Sequence, residues 1–318
     1  MRLVVFGAGA VGGVIAGRVF EHGNEVVAIA RGAHFEAMRD RGMRLVDPDC
    51  TVTLSIPVVD DPARIEWRAD DVVLVTTKTQ DSTGAMSTLA AAAGPDVPVV
   101  CVQNGVENER IATRRFAHVY GICVMLPAEH LEPGVVAASS APVSGLLDIG
   151  RYPKGVDDVA HRVAAVLSAA TFESIPREDV MRWKYRKLLM NLANAVEALC
   201  APGDDAIELG RLARREGSAV LRAAGIDFVS IEEDRERRGE RLTPRLARGG
   251  GSTWQSLRRE TGALETDYLN GEVVLLARIH GVPSPVNARL QAAANDAARR
   301  RLPPGSLGAS DLLKGAGC

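Results

Sequence analysis

The 318-residue sequence predicts an α/β domain built on a parallel sheet, followed by an all-α domain. Three observations support this fold class. Short apolar runs alternate with helical patterns as far as about residue 176, which is typical of a parallel sheet covered by helices. From residue 179, strand signals disappear and long helical patterns continue to about residue 301. A glycine-rich turn also joins the first predicted strand to the first predicted helix.

The first element is an apolar run over residues 3–6 that ends in three glycines with the spacing Gly-x-Gly-x-x-Gly. An uninterrupted apolar run predicts a strand that is buried on both faces. In this kind of turn, Gly7 permits the tight bend, Gly9 lets the backbone approach a pyrophosphate, and Gly12 lets the next helix pack closely. The helix predicted over residues 14–20 directs its N-terminus at the phosphates. The segment therefore predicts a Rossmann-type dinucleotide-binding domain.

The second predicted strand covers residues 25–30 and ends at Arg31. A domain that binds NAD usually places an acidic residue at this point, where it contacts the adenosine ribose hydroxyl. An arginine is suited instead to the 2'-phosphate of NADP. We therefore expect NADP as the cofactor, and the alternative is an ordinary exposed arginine at a strand end.

Two further strands are predicted to deliver polar residues to the same edge of the sheet. Residues 72–77 lead to Lys78, and residues 97–102 lead to Asn104. In open parallel sheets, ligands bind outside the carboxyl ends of the strands, so the glycine turn, Lys78 and Asn104 are predicted to line one crevice. The alternatives are a solvated lysine and a simple Asn-Gly turn.

The remaining elements of the first half follow the same alternation. Residues 43–46 and 51–57 predict a hairpin. Further helices are predicted at residues 81–93, 106–116 and 156–170, and further strands at residues 120–125, 134–138, 143–149 and 172–175. We expect an NADP-binding domain over residues 1–176, a helical substrate domain over residues 177–302 and a flexible tail over residues 303–318.

One long helix is predicted over residues 180–200, and it carries a row of polar side chains. Lys187, Asn191 and Asn194 recur at i, i+4 and i+7, which places one ammonium group and two amides along one helix face. Such a row on a largely buried helix indicates a polar ligand, with hydrogen bonds to neighbouring helices as the alternative. Further helices are predicted at residues 204–224, 231–245, 265–280 and 285–301, with another beginning at the N-cap-like sequence Ser252-Thr253-Trp254. The alternating charges of residues 232–238 indicate a solvated face.

Composition excludes several classes of function. A net charge of −2 gives no general attraction for nucleic acid or an anionic membrane, and no segment approaches the ~18 apolar residues of a membrane span. Five scattered cysteines without a Cys-x-x-Cys pair argue against a disulfide framework or a zinc site and favour a reducing cytoplasm. The six histidines show no metal-ligand spacing, so we expect surface histidines and no metal.

Taken in order, these segments resemble the ketopantoate reductase (2-dehydropantoate 2-reductase) family through to about Pro285. The resemblance rests on the Gly7-x-Gly9-x-x-Gly12 turn, Arg31, Lys78, Asn104-Gly105, the segment Lys187-Leu188-Leu189-Met190-Asn191, and the segment from Ser252-Thr253 to Glu265. It implies an NADP-binding domain, a helical domain like the C-terminal domain of 6-phosphogluconate dehydrogenase, and an active site between them. The implied activity is NADPH-dependent reduction of 2-dehydropantoate to pantoate, a cytoplasmic step of pantothenate and coenzyme A biosynthesis.

The resemblance also implies roles for individual residues. The cofactor would contact Gly7, Ala8, Gly9, Ala10, Val11 and Gly12 with its pyrophosphate, Arg31 with its 2'-phosphate, and Lys78 and Asn104 near the nicotinamide. Lys187 matches the family's general acid, and Glu265 matches its acidic residue beside the substrate hydroxyl or the nicotinamide ribose. The substrate-binding positions are Asn191, Asn194, Ser252 and Thr253.

Three departures from the family pattern lie at the substrate positions. Asn194 follows Asn191 by three residues where the family commonly has four, Lys184 competes with Lys187 as proton donor, and residues 241–251 are rich in arginine and glycine. The substrate is therefore expected to be a small 2-keto acid whose identity stays open. The alternatives are a related reductase of another 2-keto acid or an imine, and a non-catalytic NADP(H) sensor. The helical half offers a surface for a homodimer, but the sequence leaves the oligomeric state open.

Overall fold

The structure is a computed structural model that describes residues 1–243, 245–246, 249–260 and 262–314. It forms two compact units. Unit 1 contains Met1–Lys184 and residues 230–246, and unit 2 contains Tyr185–Val229 and the described residues from 249 to 314. These units divide the chain differently from the predicted domains 1–176 and 177–302, because the boundary falls inside a helix and a later segment returns to unit 1.

The large sheet of unit 1 has the Rossmann-type strand order. Its strands run in the order β12-β11-β8-β7-β6-β1-β2-β5, and those from β8 to β5 are mutually parallel, whereas β11 is antiparallel to β8. A smaller sheet has the order β4-β3-β10-β9 and contains the predicted hairpin, β3 with β4. The strands are β1 (Arg2–Phe6), β2 (Val26–Ile29), β3 (Met43–Val46), β4 (Thr51–Leu54), β5 (Val58–Val59), β6 (Asp71–Val75), β7 (Val99–Cys101), β8 (Val119–Met125), β9 (Ala128–Glu132), β10 (Val135–Ala138), β11 (Gly145–Arg151) and β12 (Phe172–Glu173).

The helices of the described chain cover the sheet of unit 1 and build unit 2. They are α1 (Ala10–Glu21), α2 (Gly32–Arg41), α3 (Ser82–Ala93), α4 (Asn108–Thr113), α5 (Asp158–Ser168), α6 (Val180–Asn191), α7 (Asn194–Leu199), α8 (Asp204–Ala223), α9 (Ile231–Arg238), α10 (Ser252–Arg258), α11 (Asn270–His280), α12 (Pro285–Arg299) and α13 (Ala309–Lys314). The predicted fold class, an α/β half followed by an all-α half, is confirmed. Helix α2 was not predicted, because only Ala37 and Met38 of its ten residues are buried and it has no apolar stripe.

The first strand shows why its sequence is uninterruptedly apolar. Leu3 and Val5 lie in the core between the sheet and helices α1 and α5. Val4 and Phe6 point to the opposite core, which contains residues of α3 and α4. Since successive side chains of a strand alternate between faces, a strand covered on both faces needs apolar residues at every position.

The predicted solvated face of residues 232–238 is present at Glu232, Glu233, Arg235 and Glu236, which are exposed, but Asp234 and Arg237 are buried, which the prediction missed. Arg237, 8% exposed, donates to both carboxylate oxygens of Asp148 at 2.7 and 2.9 Å and to Glu173 at 2.9 Å. Asp234 is fully buried, and Arg238 donates to it. These contacts tie α9 into unit 1. Alternating charge does not reveal them because Asp148 lies 89 residues away in sequence.

Unit 2 is an all-α assembly around one apolar core, and its last helix corrects the expectation of a flexible tail. Leu312 of α13 is buried in that core. The backbone amide of Leu307 donates to the carbonyl of Leu199 at 2.9 Å, which fixes the segment leading to α13. Residues 303–314 therefore pack onto unit 2, because three leucines of this small-residue segment, Leu307, Leu312 and Leu313, supply apolar anchors. Residues 315–318 lie outside the described part of the chain.

Candidate functional site

The glycine turn after β1 has the geometry that its spacing predicts. Gly7 has a φ of +108°, a conformation that side chains rarely adopt, and a Cβ there would lie 3.0 Å from the backbone nitrogen of Thr77. A Cβ on Gly12 would lie 2.3 Å from the carbonyl oxygen of Gly7, so helix α1 packs directly on the turn. Thr76, the residue after β6, stabilises the glycine turn because its hydroxyl donates to the Gly7 carbonyl at 2.6 Å.

The same turn fits a dinucleotide pyrophosphate. Gly9 is exposed, and a Cβ built on it would meet no atom within 4 Å, which leaves open space beside the backbone. Gly9 is also the N-cap of α1, and no side chain caps this helix. The first-turn amides of a helix carry a partial positive charge and bind phosphate oxygens. The Gly9 amide itself donates to the Gly7 carbonyl at 2.7 Å, so the amides of residues 10–12, the first of α1, are the backbone donors for the predicted phosphate site.

His34 is half-buried and stabilises this turn by a hydrogen bond to its backbone, although the sequence predicted only surface histidines. Its Nε2 lies 2.7 Å from the carbonyl oxygen of Ala8, and its Nδ1 accepts from the backbone amide of Gly134 at 2.9 Å. These contacts assign the neutral tautomer with hydrogen on Nε2. The Nε2 of His130 lies 3.0 Å from the same Nδ1. Burial lowers the pKa of His34, and the hydrogen bond to Ala8 opposes that shift.

The three predicted strand ends lie side by side, because β1, β6 and β7 are neighbours in the sheet. Lys78 follows β6 and is half-buried, and Asn104 follows β7 and is also half-buried. Arg31 follows β2 on the other side of β1, where it is the exposed N-cap residue of α2. The chain reverses its direction of winding between β1 and β6, and ligands of open α/β sheets bind at such a switch point.

A buried polar network links the loop after β6 to the loop after β7. The side-chain amide of Asn108 donates to the Thr79 hydroxyl at 3.1 Å and to the Asn104 carbonyl at 3.4 Å. The Ser82 hydroxyl donates to the Asn108 amide oxygen at 2.7 Å and accepts from the Gln103 amide at 3.2 Å. Irregular loops lack ladder partners, so buried side chains satisfy their backbone carbonyls.

Lys184, the predicted competitor of Lys187, belongs to this cluster. Its side chain is 2% exposed, and its ammonium group donates to the Gln103 carbonyl at 3.1 Å and forms an ion pair with Glu109. Gly121 makes room for the pair, since a Cβ there would lie 2.9 Å from the Glu109 carboxylate. Burial raises the pKa of Glu109, and the Lys184 ammonium group opposes that shift. The Lys184 ammonium group is therefore already paired within unit 1, with the Glu109 carboxylate and the Gln103 carbonyl.

In unit 2, the helix with the polar row is interrupted. Lys187 and Asn191 lie four residues apart in α6, which ends at Asn191, and Asn194 is the first residue of α7. The single helix predicted over residues 180–200 is therefore wrong at residues 192–193. The cause is the side-chain amide of Asn270, which donates to the Leu192 carbonyl at 3.0 Å. A side chain that inserts into the helical hydrogen-bond ladder breaks or kinks the helix.

Asn270 is itself held by a second asparagine. Its amide also donates to the side-chain oxygen of Asn287 at 2.9 Å, and the Asn287 amide donates to the Ala213 carbonyl at 3.0 Å and to Glu216 at 2.7 Å. Glu216 also accepts from the first backbone amides of α12, at 2.9 and 3.0 Å. Because Asn270 and Asn287 are almost completely buried, this network fixes the interruption between Asn191 and Asn194.

The other predicted substrate residues lie at the start of α10 and in the segment before α11. Gly251 caps α10 without a side-chain bond, so Ser252 is the first helical residue and is not the N-cap that its sequence suggested. The Gly251 amide donates to Glu197 of α7 at 3.0 Å, so the start of α10 packs on the helix that begins at Asn194. Thr253 is buried and Ser252 is half-buried. Glu265 is buried in a 3-10 turn, Glu265–Tyr268, which precedes α11.

Metal clusters and membrane-spanning helices are both absent from the described residues. They contain no group of three or more His, Cys, Asp or Glu residues placed to hold a metal ion. Among the same residues, no helix is both long enough and apolar enough to cross a membrane.

Several residues of these clusters gave no usable signal in the sequence. Thr76, His34 and Asn108 contact the cofactor-side turns through side-chain hydrogen bonds, and their partners lie far away in the chain or in loops. Asn270 gave no signal beyond its place in the helix predicted over residues 265–280. Lys184 and Asn287 also gave no signal as buried groups, because Lys184 shares α6 with Arg182, Arg186 and Lys187, and α12 contains several other polar residues.

Comparison with known proteins gives a consistent result over both halves. A family profile described as ketopantoate reductase PanE/ApbA matches residues 3–154, and its C-terminal counterpart matches residues 179–298. A 2-dehydropantoate 2-reductase of Caulobacter vibrioides is 30% identical over 309 residues, covering 93% of this chain and 99% of that protein. A ketopantoate reductase structure from Ralstonia eutropha has a TM-score of 0.80 at 27% identity, covering 95% of this chain and 99% of that one. A D-mandelate dehydrogenase solved with NADH and anilino(oxo)acetate has a TM-score of 0.80 at 20% identity over 95% of this chain and 99% of that one, which shows a shared fold.

Proposed function

This chain belongs to the ketopantoate reductase family, and we propose that it catalyses the NADPH-dependent reduction of 2-dehydropantoate to pantoate. The reaction adds a hydride to the ketone carbon and a proton to its oxygen. It requires a dinucleotide site, a proton donor and polar groups that orient the keto acid. Residues for each of these tasks lie in the elements described above, and their roles are part of the proposal.

The cofactor residues belong to unit 1. The turn of residues 7–12 would hold the pyrophosphate at the start of α1, with the backbone amides of residues 10–12 as donors, because the amides of residues 7–9 already donate to backbone carbonyls. Arg31, exposed after β2, would pair with the 2'-phosphate, and Lys78 and Asn104 would contact the nicotinamide half. When bound, NADPH supplies the hydride. The residues of the turn fit this ligand because Gly9 leaves its backbone uncovered.

The proposed proton donor is Lys187 in α6. Its ammonium group would hydrogen-bond to the ketone oxygen and transfer a proton to it as negative charge develops there. Asn191, Asn194, Ser252 and Thr253 would orient the keto acid by hydrogen bonds. Glu265 would contact the substrate hydroxyl or the nicotinamide ribose.

The observation that carries the choice of proton donor is the position of Lys184. Two lysines three residues apart in α6 compete for the role. The ammonium group of Lys184 is buried against Glu109 and the Gln103 carbonyl, whereas Lys187 is only half-buried. A proton donor must reach the substrate oxygen. This comparison favours Lys187.

The experiment that tests the function measures NADPH oxidation by the purified protein with 2-dehydropantoate and with smaller and bulkier 2-keto acids. We expect the largest kcat/KM for 2-dehydropantoate. Parallel assays with NADH test the role of Arg31: wild type should prefer NADPH, and Arg31→Ala should lose about tenfold or more of that preference, the size of one or two charge-assisted hydrogen bonds. Lack of activity with every keto acid, despite NADPH binding, would favour a sensor instead.

A second candidate is reduction of a different 2-keto acid. It is favoured by the shared fold with D-mandelate dehydrogenase and by the altered asparagine spacing, since Asn194 begins a separate helix. A larger kcat/KM for an aromatic or branched 2-keto acid than for 2-dehydropantoate would establish it.

Two wider properties belong to the same proposal. A cytoplasmic location is favoured by Cys50, Cys101, Cys123 and Cys200, the four cysteines of the described chain, which are free thiols. A homodimer is the proposed assembly, and sedimentation or light scattering of the purified protein would decide between it and the monomer.

A further inference from the structure

The ion pair between Lys184 and Glu109 requires the desolvation of two charges, and it has no role in the proposed chemistry. Lys184 is 2% exposed and Glu109 is fully buried. One oxygen of the Glu109 carboxylate, Oε2, is buried and has no hydrogen-bond partner within the described residues. Buried ion pairs often contribute little net stability, because desolvation of both charges offsets their attraction. Stability alone is therefore a weak explanation for this pair.

The position of the pair suggests another role. The Lys184 ammonium group donates to the backbone carbonyl of Gln103, the residue before Asn104. The next carbonyl, that of Asn104, accepts from the Asn108 side chain, and Asn108 is adjacent to Glu109 in α4. Two consecutive backbone carbonyls of the loop after β7, those of Gln103 and Asn104, thus accept hydrogen bonds from side chains. Their orientation fixes the peptide plane from which the Asn104 side chain projects.

We propose that Lys184 and Glu109 are positioning residues that hold Asn104 in place for NADPH. Glu109 keeps the Lys184 ammonium group aimed at the Gln103 carbonyl, and that hydrogen bond holds the loop after β7. This inference rests on the proposed function, in which Asn104 contacts the nicotinamide half of the cofactor. It concerns contacts within unit 1 alone.

The test compares single and paired substitutions in the full-length protein. Lys184→Met and Glu109→Gln each leave one buried group without its partner, so each should lower the melting temperature and weaken NADPH binding. The double variant K184M/E109Q removes both charges at similar volume, and its melting temperature should return close to that of wild type. Its Kd for NADPH should nevertheless stay about tenfold weaker, the effect of one lost charge-assisted hydrogen bond.

A second buried pair provides the matched control. Arg2 donates to both carboxylate oxygens of Asp71 at 2.7 and 2.8 Å, at the amino ends of β1 and β6, away from the carboxyl ends where Asn104 lies. R2M/D71N should therefore bind NADPH within about twofold of wild type, because a twofold change is well below one hydrogen bond. In K184M/E109Q the KM for NADPH should rise with its Kd, while kcat falls less than in Lys187→Ala.

The outcomes separate this inference from the proposed function. A stable K184M/E109Q variant that binds NADPH as tightly as wild type would show that the pair is only structural and would overturn the inference. Equal weakening in R2M/D71N would do the same. If wild type binds NADPH but reduces no keto acid, the proposed function fails, whereas a selective loss of NADPH affinity in K184M/E109Q still supports the positioning role. A wild type that does not bind NADPH would overturn both.

Discussion

The side-chain amide of Asn270 donates to the backbone carbonyl of Leu192 at 3.0 Å, at the interruption between α6 and α7. Asn191 precedes the interruption and Asn194 follows it. Their relative orientation is therefore tied to Asn270, which lies 78 positions from Leu192 in sequence. The substrate assignments of both asparagines depend on this geometry.

We predict that Asn270→Leu raises the KM for the keto acid by about tenfold and lowers the free energy of unfolding by about 1–3 kcal/mol. The substitution leaves the Leu192 carbonyl and the Asn287 side chain without their buried donor. Steady-state kinetics and denaturant titration measure the two effects. Asn24→Ala is the control, because Asn24 also donates to a backbone carbonyl but lies in unit 1 at a helix end. An unchanged KM in Asn270→Leu would separate the interruption from substrate binding.

Replacing Lys187 tests the proton donor directly. Lys187→Ala should lower kcat by about a hundredfold or more and leave the Kd for NADPH nearly unchanged, as expected when only proton transfer is lost. Lys184→Ala should behave differently, with weaker NADPH binding and a lower melting temperature, because its partner Glu109 is buried. Stopped-flow turnover and NADPH fluorescence titration provide both readings. Full activity in Lys187→Ala would exclude it as the acid.

Two glycines of the turn should respond in opposite ways to alanine. A Cβ on Gly12 would lie 2.3 Å from the Gly7 carbonyl oxygen, so Gly12→Ala should destabilise the fold by about 1–3 kcal/mol. A Cβ on Gly9 meets no atom within 4 Å, so Gly9→Ala should keep the melting temperature. It should nonetheless weaken NADPH binding, because the methyl group occupies the space proposed for the pyrophosphate. Normal NADPH affinity in Gly9→Ala would place the phosphates elsewhere.

His34 should make stability depend on pH in a defined window. Burial lowers its folded-state pKa, so between that value and the unfolded pKa near ~6.5 the unfolded chain binds more protons. Stability contributed by neutral His34 is therefore present above about pH 6.5 and is lost as the pH falls towards the folded pKa. Protonation would also remove the acceptor that Nδ1 offers to the Gly134 amide, beside His130.

Melting temperatures at pH 7.5 and pH 5.5 check this prediction. Wild type should lose more stability on acidification than His34→Gln, whose amide can still donate to the Ala8 carbonyl. NADPH affinity should follow the same trend, since Ala8 belongs to the cofactor turn. Equal losses in both proteins would show that another group titrates.

Patterns within a single element made much of the fold predictable. The apolar run of β1, the glycine spacing and the hairpin of β3 and β4 each depend on neighbours within a few residues. Helix α2 was not predictable, because its ten residues bury too little apolar surface to give a periodic pattern in the sequence. The same local patterns indicated the turn, Lys78 and Asn104 at strand ends, whose ligand roles remain predictions.

Long-range polar contacts were not predictable from these patterns. The break after Asn191 depends on Asn270, and the burial of Lys184 depends on Glu109, 75 residues away. Burial of Arg237 depends on Asp148 in the same way. A hydrogen bond or ion pair between distant residues leaves no periodicity in either segment, so only the three-dimensional structure reveals it.

The bond between Arg237 and Asp148 has a practical consequence for dissecting the protein. Unit 1 is assembled from two separate stretches of chain, because α9 comes back to the sheet after α6, α7 and α8. No single cut can release an intact nucleotide-binding fragment. A fragment that stops at Lys184 would lack the arginine that contacts both oxygens of Asp148. Anyone wishing to study that half in isolation must splice residues 230–246 back onto it.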